Sequence, residues 1–186
     1  MTEAPKPLRW NAVLVALHWL GGALIVELIV HGSAMVHGRF SAATAFDLYQ
    51  QHKSLGFVAL ALTAARLVGR LCFAAPKALA SALWERRLAA AVQALLYALT
   101  LAAIVSGWLV VSASPLPIPT RFFGLFIVPS LAGPNPTLFA GAALAHEVAA
   151  YAIALLVTLH VAGALKHHFI DRDDALRRML PRWRGP

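Results

Sequence analysis

The 186-residue chain is 60% hydrophobic and only 13% charged, with a mean hydropathy of +0.70, which is too apolar for a water-soluble domain of this size. Its net charge of +8 would point to nucleic acid in a soluble protein, but in a membrane protein the placement of basic residues matters more than their sum. The single cysteine, Cys72, rules out an intramolecular disulfide and leaves no thiolate spacing for a zinc site or an iron–sulfur cluster, so metal chemistry would rest on histidine.

Four apolar stretches are each long enough to cross a hydrocarbon core of about 30 Å at about 1.5 Å per residue. They predict an all-α membrane protein, a four-transmembrane-helix bundle filling 1–186 as a single domain, with spans at about 11–30, 52–72, 88–111 and 137–168. The second span starts at His52 or somewhat earlier. The first loop carries His31, Gly32, His37, Gly38 and Arg39, and a short linker surrounds Pro76. The third loop holds Pro115, Pro117, Pro119, Pro129, Pro134 and Pro136, a density that stops a helix.

Basic residues divide unevenly between the two sides. Lys6 and Arg9 precede the first span; Arg66, Arg70, Lys77, Arg86 and Arg87 surround the second connection; six more run from Lys166 to the end. These 13 contrast with three, Arg39, Lys53 and Arg121, around the other two loops. The positive-inside rule therefore puts both the N- and C-termini in the cytoplasm. Lys6 and Arg9 before an apolar run also resemble a signal peptide, with Gly32-Ser33-Ala34 as a small-residue region. The run exceeds the length of a signal core, and an even number of spans needs it retained.

Ionisable residues within a span are expensive and by default mark a functional site. His18 lies seven residues beyond Asn11, about 10 Å along the helix, and His160 six before Lys166, about 9 Å, so the two share a depth near the cytoplasmic side. His52 and His146 share a second depth near the outer face. His146 and His160 are 14 residues apart, about 40° from a common azimuth and about 21 Å apart in height. One helix thus offers imidazoles at two levels. A flat macrocycle between helices takes one axial histidine from each, which pairs His18 with His160 and His52 with His146. Interhelical hydrogen bonds, or a proton or metal relay, are the alternatives.

Gly21, Gly56 and Gly163 fall on the faces of their histidines, where a missing Cβ admits either a porphyrin or a neighbouring helix. Glu27 falls on the face opposite His18, with a role at the outer surface open to it. His31 and His37 read as solvated or interfacial loop histidines. Trp19, Trp84, Tyr97 and Trp108 read as span interiors and aromatic belts.

Specific motifs narrow the reading. They are His18-Trp19, His52-Lys53-Ser54-Leu55-Gly56, Phe122-Phe123-Gly124-Leu125 with Pro129, His146-Glu147, and above all the tail Ala164-Leu165-Lys166-His167-His168-Phe169-Ile170-Asp171-Arg172-Asp173 followed by Leu176-Arg177-Arg178-Met179-Leu180-Pro181. Across essentially the whole chain these resemble the bacterial cytochrome b561 family, the four-helix cytochromes of the inner membrane. The resemblance implies two haem b groups, with ligand positions falling on His18, His52, His146 and His160. Some members of that family carry a further histidine in the third span, where this chain has Gln93. Members include a superoxide oxidase that reduces ubiquinone, with a quinone contact at the position of His167. Others are electron carriers.

Two axial histidines leave a haem iron no open position, which favours electron transfer over oxygen binding. The expected activity is superoxide:ubiquinone oxidoreduction, with electrons entering from the periplasmic side and quinone as acceptor. Arg39, Lys53 and Arg121 are the basic residues available to steer an anionic donor; loop solvation, or contact of Lys53 with propionates or lipid phosphate, is the alternative. His167 lies about 20° off the face of His160 and about 10 Å nearer the cytoplasm, suited to hydrogen-bond and protonate a quinone. Lys166 and His168 face elsewhere and are expected to snorkel to headgroups. Arg172, Arg177, Arg178, Arg182 and Arg184 fit contact with anionic lipid in the bilayer, and no specific nucleic-acid binding is expected. The competing functions are an electron-carrier subunit working with a redox partner protein, and a haem-free transporter or proton channel using the buried histidines as a relay.

Overall fold

The computed structural model describes residues 9–76, 82–116 and 118–181. Lys6, Lys77, Arg182 and Arg184, counted above for orientation, and Pro117 of the third loop lie outside the described residues. Four helices follow in order, α1 (Ala12–His37), α2 (Ala42–Cys72), α3 (Leu83–Ala113) and α4 (Pro136–Phe169). Each is long and apolar enough to cross a membrane.

Local chemistry sets several of the ends. The Asn11 side chain accepts from Val13 N–H at 2.9 Å, Ser41 Oγ from Thr44 N–H at 3.2 Å, and Asn135 Oδ1 from Leu138 N–H at 3.0 Å, each satisfying an amide that the helix leaves free. Pro136 occupies the first position of α4, where its missing N–H costs nothing. α1 and α2 run beyond the predicted spans. His31 and His37, expected in the first loop, lie within α1, and His52 stands ten residues into α2. The cause is that polar residues end an apolar run without ending a helix, and the first proline or glycine in a stopping position here is Gly38.

Helices α1 and α2 pack as one hairpin and α3 and α4 as another, while contact between the two hairpins is sparse. The close contacts use small residues. Ala59, Ala113, Ala142 and Ala149 are buried, and a Cβ on Gly69 would come within 2.8 Å of Leu14 Cδ2. Large apolar side chains instead face outward, among them Leu20, Val30, Leu71 and Leu155. This inverted pattern belongs to helices whose solvent is lipid.

The proline-rich third loop contains a feature not predicted from sequence, an antiparallel pair β1 (Thr120–Phe122) and β2 (Phe126–Val128). Phe123 (φ 46°) and Gly124 (φ 78°) turn it, with Leu125 N–H donating to Phe122 O at 2.9 Å. Positive φ at both central residues is the primed turn whose twist matches paired strands, which accounts for glycine in Phe122-Phe123-Gly124-Leu125. The hairpin is fastened to α2. Ser54, 1% exposed, accepts from Phe123 N–H at 3.0 Å and shares its hydroxyl proton between Gln50 O and Arg121 O. The Gln50 amide accepts from Arg121 N–H at 3.1 Å and donates to Pro119 O at 3.0 Å.

Removing a buried partner and stranding Phe123 N–H costs about 1–3 kcal/mol. Ser54→Ala is therefore expected to speed tryptic cleavage after Arg121 in detergent by about tenfold. Ser41→Ala, remote from the hairpin, should leave that rate unchanged; equal rates in all three proteins would show that Ser54 does not hold the loop.

Candidate functional site

The four histidines selected by depth meet in two pairs, and the partners are those that depth predicts. The His18 and His160 ring centroids are 6.0 Å apart with planes at 76°. Those of His52 and His146 are 6.2 Å apart with planes at 86°. All four residues are half-buried. The rings span the divide between the two helical hairpins, since α1 and α4 touch sparingly and α2 and α4 less still.

The surroundings of each ring differ. His146 Nδ1 lies 2.8 Å from Ala103 O, and a carbonyl accepts only, so Nδ1 carries the proton and Nε2 keeps its lone pair. Gly107 makes room for this ring, because a Cβ there would stand 3.0 Å from His146 Cε1 and Nδ1. By contrast, Nδ1 of His18 and Nδ1 of His52 are buried with no hydrogen-bond partner among the described residues. Cβ atoms built on Gly21, Gly56 and Gly163 meet no atom within 4 Å. Close helix packing therefore does not explain these three glycines.

A cavity of about 620 Å³ lies at the level of His52 and His146, lined also by Lys53, Gly56, Gly107 and Trp108 among others. Its size falls within the range of small-molecule and cofactor sites. Lys53 thus borders the cavity of His52 and His146, while Arg39 and Arg121 are exposed, and Arg121 reaches this end of the molecule through the backbone clamp on Gln50 and Ser54.

Several residues do more than their sequence reading suggested. His31 is 8% exposed, not a solvated loop residue; its ring centroid is 5.8 Å from that of His52, and Glu27 Oε1 lies 3.8 Å from its Nδ1. Trp19 Nε1 donates to Met179 O at 2.6 Å, tying the C-terminal tail to α1 beside His18. Trp108 Nε1 donates to Pro129 O at 2.9 Å. Both indoles anchor loops in addition to standing in the bundle. Arg66 of α2 stacks over Tyr97, 5.5 Å from the ring centroid. Burial of His31 was legible from its spacing only if α1 was continued past Val30.

At the C-terminal end of α4 Lys166 does not snorkel freely. Its Nζ pairs with Glu85 at 2.8 Å and Asp171 at 2.7 Å. His167 Nδ1 is 2.7 Å from Asp173 Oδ2 and 3.2 Å from Asp171 Oδ2. The tail can fold back this far because Arg172 takes a positive φ of 53° and Asp173 N–H returns to His167 O at 3.0 Å.

Comparison with known proteins agrees with this architecture. The family model described as prokaryotic cytochrome b561 matches residues 9–182. Cytochrome b561 homolog 2 of Escherichia coli strain K12 is 35% identical over 184 residues, covering 97% of this chain and 95% of that protein. Cytochrome b561 homolog 1 of the same organism is 25% identical over 177 residues, covering 94% and 98%. A membrane bundle of four apolar helices with paired intramembrane histidines, matched from end to end by that family model, belongs to the prokaryotic cytochrome b561 family.

Proposed function

We propose that this membrane electron-transfer protein holds two haem b groups, one between His18 and His160 and one between His52 and His146, in a bacterial inner membrane with both termini cytoplasmic. The observation that carries the reading is the pair of ring spacings, 6.0 and 6.2 Å. Two imidazoles on opposite sides of one metal ion, each bonded at about 2 Å, have centroids about 6 Å apart. The Ala103 carbonyl fixes the tautomer that leaves His146 Nε2 free to ligate. Gly21, Gly56 and Gly163, with no atom near a built Cβ, supply the faces on which a flat ring can lie.

Haem held by these histidine pairs would supply one-electron transfer. The chain's residues hold the two levels about 21 Å apart in height along α4, which makes a path through the bilayer. At the outer end Lys53, with Arg121 held nearby by Ser54, attracts an anionic donor, and superoxide is the donor we favour. At the inner end His167 hydrogen-bonds ubiquinone, the acceptor we favour. The carboxylates of Asp171 and Asp173 hold its Nδ1 and orient the ring so that, when both nitrogens carry protons, Nε2–H donates to a quinone carbonyl.

The decisive test is the reduced-minus-oxidised visible spectrum of purified protein with haem quantified per chain. About two low-spin b haems are expected, with His18→Ala and His52→Ala each losing a different one. A protein colourless even after haem supplementation would overturn the reading. Gly107→Leu, which drives a side chain into the His146 ring, is expected to lose the same haem as His52→Ala; retention of both would refute the pairing at the outer level.

Two further variants address the ends. Lys53→Glu is expected to slow haem reduction by superoxide and flatten its salt dependence; unchanged stopped-flow rates at low and high salt would exclude steering through this residue. Asp173→Asn should slow quinone reduction about tenfold or more while leaving haem reduction by superoxide as it was. Slowing of both steps alike would remove Asp173 from the quinone end.

A further inference from the structure

Among the described residues, two of the four buried side-chain atoms without a hydrogen-bond partner belong to neighbouring rings: Nδ1 of His52 and Nε2 of His31. Buried polar groups are almost always paired, so two orphans side by side need a common explanation. The ring centroids are 5.8 Å apart at 60°. A direct N–H···N bond brings ring centres to about 5 Å, so a modest ring rotation, or one bridging water, joins them. Among the described residues His52 is the ring that His31 contacts, and its far nitrogen, Nδ1, faces Glu27 Oε1 at 3.8 Å.

The contrast with the opposite ring gives the arrangement its meaning. His146 has the Ala103 carbonyl to take its Nδ1 proton; His52 has no carbonyl. A ligating histidine ordinarily donates its second ring N–H to an acceptor that fixes the ring and makes it a stronger electron donor to the metal. We propose that His31 is that acceptor for His52, polarised in turn by Glu27, so that Glu27, His31 and His52 form a line that positions the outer axial ligand and lowers the potential of the outer haem alone. His31 is a positioning residue in this scheme: its Nε2 lone pair accepts the His52 Nδ1 proton, and its own Nδ1–H points to the Glu27 carboxylate.

This inference rests on His52 being an axial ligand, and the experiment separates the two claims. Redox titration of the purified holoprotein, followed by visible spectra, is run on the wild type, His31→Leu, His31→Gln and Glu27→Gln, with haem quantified in each. With two haems per chain retained, His31→Leu is expected to raise the midpoint of one haem, changing its reduced-to-oxidised ratio at a fixed potential by about tenfold, and to leave the other in place. His31→Gln, whose side-chain oxygen still accepts, should restore most of the wild-type value. Glu27→Gln should shift the same haem in the same direction by less. If His31→Leu loses the outer haem, the Glu27→Gln shift decides, and its absence overturns the proposal. Unchanged midpoints in His31→Leu, or equal shifts of both haems, also overturn it. A wild type without haem would instead overturn the functional reading on which the proposal stands.

Discussion

Everything distinctive about this molecule depends on how far apart two helical hairpins stand. Within each hairpin, alanine and glycine let the backbones approach closely; between them, contact is sparse and imidazoles reach across. Lipid gives no hydrophobic force to draw the hairpins together, so the few direct contacts, such as Arg66 over Tyr97 and Phe57 against Trp108, are joined by fastenings at the ends. At one end Ser54 and Gln50 of α2 hold the β1–β2 turn that precedes α4. At the other Trp19 of α1 holds the tail that follows α4. Each fastening joins one hairpin to the other, and each lies beside one of the histidine pairs, within two residues of His52 or next to His18.

This explains how residues with no reason of their own to be polar come to be so. Ser54, nearly fully buried, spends its donor and acceptor capacity on a loop, and Trp19 turns the nitrogen of an otherwise lipid-compatible ring toward a tail carbonyl. In a soluble protein such contacts would be a small supplement to a core. Here, where outward-facing leucines and valines gain nothing from meeting each other, a few directed hydrogen bonds carry a larger share of the specificity.

Much of the fold was legible because membrane physics leaves few options: length and hydropathy predict the four helices. The two histidine pairs were legible because a helix rises by a constant amount per residue, so depth can be counted from the ends. What escaped was whatever depends on contact between distant segments. His31 looked like a loop residue because hydropathy falls at Gly32-Ser33, yet the helix continues to His37. The hairpin in the third loop was hidden among prolines, its signal being only Gly124. Lys166 sits at a position where snorkelling is the ordinary expectation, and only the approach of Glu85 from α3, with Asp171 from the tail, gives it partners.

Both histidine pairs draw one member from α4, and the fastening at Trp19 uses a residue close to the end of the described chain, Met179. The order of synthesis therefore bears on assembly. While the first three helices enter the bilayer, neither level has its second imidazole, and the chain holds only half of each site. The two pairs come into being together when the last helix inserts, and the one beside Trp19 is closed off only after the tail has folded back onto α1. A truncated chain lacking α4 would be left with neither pair.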